Sequence, residues 1–149
     1  MTRVNIFSLQ KHFSLLFFFL ILLAGCGKEE TKLEIFSPDA YAYPMEHAWE
    51  LNGSFRVKGL EAEEMGNGYQ YDVSYSMTLT DGGNHKRILF KDAIYQERAD
   101  EELPDIGIDF QTELDSTFAE GKYKALINIR DNFSRKTAQL KFDIELSAN

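Results

Sequence analysis

Tyr69-Gln70-Tyr71-Asp72-Val73-Ser74-Tyr75-Ser76-Met77-Thr78-Leu79-Thr80 alternates apolar and polar side chains for twelve residues. A strand sends successive side chains to opposite faces, so this run gives one apolar face and one polar face. On a helix the same residues would be scattered around the whole circumference. Asp81-Gly82-Gly83-Asn84 follows, with the residue types that accept positive φ in a tight connection. The next strand is expected over Lys86 to Tyr95, carrying Ile88, Phe90 and Ile94.

The same period recurs on either side. Ile106, Ile108, Phe110, Thr112 and Leu114 alternate with Gly107, Asp109, Gln111 and Glu113. Tyr123, Ala125, Ile127 and Ile129 alternate within Gly121 to Asp131, and Ala138, Leu140, Phe142, Ile144 and Leu146 within Lys136 to Leu146. The short Asp131-Asn132-Phe133-Ser134 link predicts an antiparallel hairpin between these last two strands. Upstream, Leu51 to Leu60 reads as a strand with Phe55 and Val57 inward, and Leu33 to Phe36 as a short first strand. About seven strands with no amphipathic helix between them exclude helical crossovers. They predict an all-β, antiparallel two-sheet sandwich over residues 33–149, because one apolar sheet face must cover the other.

Residues 118–123, Phe-Ala-Glu-Gly-Lys-Tyr, open the penultimate strand. They resemble the tyrosine corner of immunoglobulin-like domains, in which a Tyr hydroxyl bonds back to nearby backbone. The resemblance implies an immunoglobulin-like sandwich without a disulfide. Ala125 stands where the second cysteine would fall. Trp49 precedes its strand, so Tyr71 or Tyr75 is the better core aromatic.

The chain has 149 residues, room for one domain and a targeting segment. Of 16 basic and 24 acidic residues, two basic ones, Arg3 and Lys11, precede Cys26 and no acidic one does. That leaves 14 against 24, a net of −10, which argues against nucleic-acid binding. After the two basic residues comes the apolar run Phe13 to Ala24, interrupted only by Ser14. As a helix it spans about 18 Å, short of a bilayer core of roughly 30 Å, so it suits a signal segment over residues 1–25.

Leu23-Ala24-Gly25-Cys26 resembles the lipobox of bacterial lipoproteins. The resemblance implies cleavage between Gly25 and Cys26, diacylglycerol on the Cys26 thiol and membrane anchoring through several acyl chains, palmitate among them. Cys26 is the only cysteine, so the mature domain then has no disulfide, no thiolate metal site and no cysteine nucleophile. Residues 26–32 form the lipidated start and a short tether. Position 27 is Gly rather than the Asp that retains such proteins in the inner membrane of enterobacteria, which favours the outer membrane, on its periplasmic face or at the cell surface. Lys28-Glu29-Glu30 is either a solvated tether or similar to the short surface-export signal of Bacteroidetes lipoproteins.

Candidate chemistry is sparse. The segment 97–109 holds Glu97, Asp100, Glu101, Glu102, Asp105 and Asp109, oxygen ligands of the kind calcium takes, in a spacing that matches no EF-hand loop. His47 and His85 are too few for zinc, and no nucleophile turn, P-loop or dinucleotide fingerprint is present. No catalytic residue, metal or cofactor is assigned. Tyr41, Tyr43, Pro44, Met45 and Trp49 form an aromatic cluster, read either as a cap on one end of the sandwich or as a binding patch centred on Tyr41, Tyr43 and Trp49. The expected function is a non-enzymatic envelope lipoprotein, held to the membrane through Cys26, whose domain contacts an envelope protein partner or serves a structural role. The alternative is a small-ligand, carbohydrate or calcium-binding module at the cell surface.

Overall fold

The computed structural model describes residues 31–148, which lie within one compact unit, Thr31–Asn149. The expected signal segment, its Gly25–Cys26 cleavage point and the lipidation site fall outside the described residues. Eight strands are present: β1 (Glu34–Pro44), β2 (Trp49–Lys58), β3 (Glu63–Met65), β4 (Gly68–Thr80), β5 (Lys86–Ala99), β6 (Asp105–Leu114), β7 (Gly121–Asp131) and β8 (Thr137–Leu146). No helix occurs among the described residues. The strands make two antiparallel sheets. One has the order β1-β2-β6. In the other, β4 pairs with β5 on one edge and β7 on the other, β8 follows β7, and β3 continues the β7 edge along the first residues of β4.

The inward phases of the two sheets share one core, as the period-two pattern requires. Tyr71, Val73, Met77 and Leu79 of β4 meet Leu51, Phe55 and Val57 of β2 and Ile106 and Ile108 of β6. Each fully buried side chain of this size contributes about 1.5–3 kcal/mol relative to exposure. Phe55, Tyr75, Phe90 and Phe110 close a ring of four aromatics, with neighbouring centroids 5.8 to 6.4 Å apart. Burial pushes the Tyr75 phenol above its ordinary pKa.

Three elements differ from the sequence expectation of about seven strands. β1 runs on to Pro44, because Ala40 and Ala42 take its inward positions and leave Tyr41 and Tyr43 outside. β3 is three exposed residues, Glu63 to Met65, with no apolar pattern to betray it. In β5 the register with β4 shifts between Tyr75 and Thr78, and Asp92 sits at φ 51°. The two shifts, one on each side of Phe90, turn Phe90 against the core and leave Ile88 and Ile94 outward, 66% and 69% exposed.

The β7–β8 hairpin is fixed from inside. Asp131, fully buried, accepts hydrogen bonds from Glu61 N (2.8 Å), Phe133 N (3.0 Å) and Ser134 Oγ (2.6 Å). A buried carboxylate persists only when its oxygens are met in this way. The next residue, Asn132, donates from Nδ2 to Asp72 Oδ1 (2.6 Å) and Ser74 Oγ (2.9 Å), tying the turn to β4.

Candidate functional site

The outer face of the three-stranded sheet is built from the outward phases of β1, β2 and β6. Cross-strand register sets its rows. Tyr43 lies beside Glu50 and Glu113, Tyr41 beside Asn52 and Gln111, and Asp39 beside Ser54 and Asp109. Strands stand about 4.8 Å apart, so these nine side chains share one continuous surface. Asp39 owes its row to a register shift between Phe36 and Asp39, where Ser37 takes φ 48°. Gly53 permits that bulge: a Cβ there would lie 2.6 Å from Asp39 O and 2.5 Å from Phe110 Cζ.

Tyr41 and Tyr43 are 50% and 57% exposed, their rings 5.3 Å apart and 72° to one another. Beside Tyr41 a shallow depression of about 450 Å³ is lined by Asp39, Asn52, Ser54, Asp109 and Gln111. Asn52 Nδ2 donates to Glu50 Oε1 at 2.8 Å. The side chains of Asp39, Ser54, Asp109 and Gln111 make no hydrogen bond to any described residue. Arg56 and Lys58, the two cations among the outward residues of β2 and β6, are already paired with Asp105 and Glu34. The face is therefore electronegative, aromatic at one side, and rich in unengaged polar groups.

Trp49 is not part of it. Its ring is 7% exposed, and Nε1 donates to Phe118 O at 3.0 Å. Phe118 in turn packs on Tyr123 (centroids 6.0 Å apart) and lies beneath Arg87 (4.3 Å). The Tyr123 hydroxyl donates to Ala119 O at 2.8 Å. The five residues grouped in the sequence thus divide. Trp49 caps the core, while Tyr41, Tyr43 and Met45 are exposed. Asp39, Asn52, Ser54 and Gln111 were not singled out from the sequence. The outward phase of β6 signalled Gln111, but only the register could place it next to Tyr41.

The other candidates stay apart. His47 lies 3.8 Å from Glu46 with both side chains almost fully exposed. His85 Nδ1 is 3.0 Å from Asp81 Oδ2 in the β4–β5 turn, and hydrogen bonds from the His85 backbone and ring and from Gly83 N hold the Asp81 carboxyl below its usual range. Neither histidine bonds a hydroxyl among the described residues. The acidic segment is largely strand. Glu97 lies close to the end of β5 at Ala99, Asp105 and Asp109 belong to β6, and the link between the strands docks through Leu103 N onto the Tyr71 hydroxyl (2.6 Å). Among the described residues no three His, Cys, Asp or Glu side chains converge as a metal would need.

No known protein family matches the chain, and no curated protein does. Among solved structures it is similar to the Bordetella pertussis protein designated ApaA, at 9% identity and a TM-score of 0.42, over 79% of this chain and 96% of that one.

Proposed function

We propose that this protein is a non-enzymatic lipoprotein of the cell envelope, anchored through Cys26, whose immunoglobulin-like sandwich holds an envelope partner or extracellular ligand on the outer face of its three-stranded sheet. The observation that carries the reading is the exposed Tyr41–Tyr43 pair on a sheet face where the side chains of Asp39, Ser54, Asp109 and Gln111 make no hydrogen bond to a described residue. Large exposed aromatics on an otherwise filled two-sheet domain are the kind of surface that partners cover. Support for the immunoglobulin-like assignment comes from the β1-β2-β6 and β5-β4-β7-β8 strand orders, the closing β7–β8 hairpin and the Tyr123 corner bond.

The start of the described chain supports such a role. Lys136 Nζ bonds Thr31 O (3.3 Å), and Leu33 is buried, so the chain enters at the end where β1 begins. β1 has eleven residues, so Tyr43 lies about 30 Å further along the domain from that entry point. The depression beside Tyr41 favours the carbohydrate alternative.

The test is in-cell photo-cross-linking with a photoreactive residue at position 43 and a control at Gln139 on the opposite sheet. We expect one discrete envelope adduct from position 43 alone, and loss of both the adduct and acyl labelling in Cys26→Ser. Equal labelling from both positions, or acyl labelling that survives Cys26→Ser, overturns the reading.

A further inference from the structure

We propose that the depression between β1, β2 and β6 is a binding site for an uncharged carbohydrate, with Tyr41 as its stacking platform. This rests on the binding-module reading and names the ligand class. The chemistry comes from four features.

The first is shape and size. A depression of about 450 Å³ falls within the range of small-ligand sites, and its open form suits a segment of a longer chain rather than an enclosed molecule. The second is the balance of hydrogen-bonding groups. Asn52 and Gln111 each offer an amide donor and acceptor, Ser54 a hydroxyl, and Asp39 and Asp109 carboxylate acceptors. A ligand whose hydroxyls both donate and accept satisfies all of them.

The third is the aromatic edge. Tyr41 is half exposed at the margin of the polar floor, where the apolar C–H face of a sugar ring can lie on it while its hydroxyls reach the floor. Tyr43, at 72° to it, supplies a second surface for the neighbouring sugar unit. The fourth is charge. Glu50 and Glu113 flank the site in the next row, and the nearby Arg56 is taken by Asp105, so sugars bearing carboxylate, sulfate or phosphate are repelled.

The experiment uses the full-length protein in detergent micelles. It is titrated calorimetrically with uncharged oligosaccharides of glucose, mannose, galactose, xylose and N-acetylglucosamine, with oligogalacturonate as the anionic probe and an oligoarginine peptide as the cationic one. At least one uncharged oligosaccharide is expected to bind and oligogalacturonate is not. Tyr41→Ala and Gln111→Ala, both surface changes, should each weaken that binding by about tenfold or more, and Ile88→Ala on the other sheet should leave it unchanged. Absence of binding to every sugar at millimolar concentration overturns the proposal. So does sugar binding that survives both variants, or Tyr41-dependent binding of oligoarginine alone. If the sugars fail while position 43 still cross-links a discrete partner, the carbohydrate assignment falls and the binding module stands. If both fail, both fall.

Discussion

The two outer faces of the molecule place their carboxylates differently. On the five-stranded sheet Asp72 and Asp143 are met by amide and ammonium donors, although Asn128 and Gln139 on that face make no hydrogen bond to a described residue. Asn132 bonds Asp72 and Ser74, Gln96 Nε2 bonds Asp72 Oδ2 at 2.9 Å, and Lys124 meets Asp143 at 3.4 Å. On the three-stranded sheet Asp39, Ser54, Asp109 and Gln111 face solvent without such bonds, and Glu50 stands directly opposite Glu113. A network that closes on itself contributes to the fold. A face that places like charges side by side and leaves its donors open contributes little to it, and that is the expected signature of a surface shaped for something outside the chain.

The sharpest test compares a carboxylate that the fold encloses with one that the open face presents. Asp131 is buried and accepts three hydrogen bonds that hold the β7–β8 turn. Asp131→Ala strands those donors and is expected to cost about 3 kcal/mol or more, read by urea unfolding. Asp109→Ala, on the open face, should move stability by no more than about 0.5 kcal/mol. Similar losses for the two variants would mean that Asp109 supports the fold as Asp131 does, and the open-face picture would fail.

A smaller effect of opposite sign is expected at the like-charge pair. Glu50 and Glu113 are cross-strand neighbours, and like charges directly opposite are destabilising. Glu113→Gln should therefore stabilise the domain by a few tenths of a kcal/mol, up to about 1 kcal/mol, with the gain shrinking in high salt. A loss of stability in the same unfolding measurement would mean that Glu113 has a structural role the open-face picture denies.

Much of this arrangement was legible in the sequence, and the exceptions have physical causes. Strict alternation in 69–80, 106–114, 121–131 and 136–146 reveals inward phase directly, because sheet side chains repeat every two residues. The same rule misleads where bulk and orientation part company. In β1 small alanines face the core and tyrosines face out, so the strand reads as an aromatic cluster in a connection. In β5 a register shift on each side of Phe90 changes the phase twice, so Phe90 turns inward while Ile88 and Ile94, an even number of residues away, stay outward. The polar floor beside Tyr41 was the least legible part. It is assembled from three strands that are distant in sequence, and only their register makes Asp39, Asn52, Asp109 and Gln111 neighbours.

The smallest expected effect reports the field of the open face at its boundary with β5. Tyr95 is pushed up to about 12 from the ordinary tyrosine value near 10, first by burial, then by its 2.7 Å hydrogen bond to Glu97, then by the charges of Glu97 and Asp109. The raised value means the fold favours the protonated phenol. In the window between about pH 10 and pH 12 the unfolded chain has lost this proton while the folded one keeps it, so stability falls as pH rises through that window. Tyr95→Phe should flatten that part of the melting-temperature profile. Asp109→Asn removes only the last of the causes and should lower the phenol's midpoint slightly in an ultraviolet absorbance titration, with Glu97→Gln lowering it more. If Asp109→Asn moved the midpoint as far as Glu97→Gln, the open face would act on β5 far more strongly than its exposure to solvent allows, and its separation from the rest of the fold would have to be redrawn.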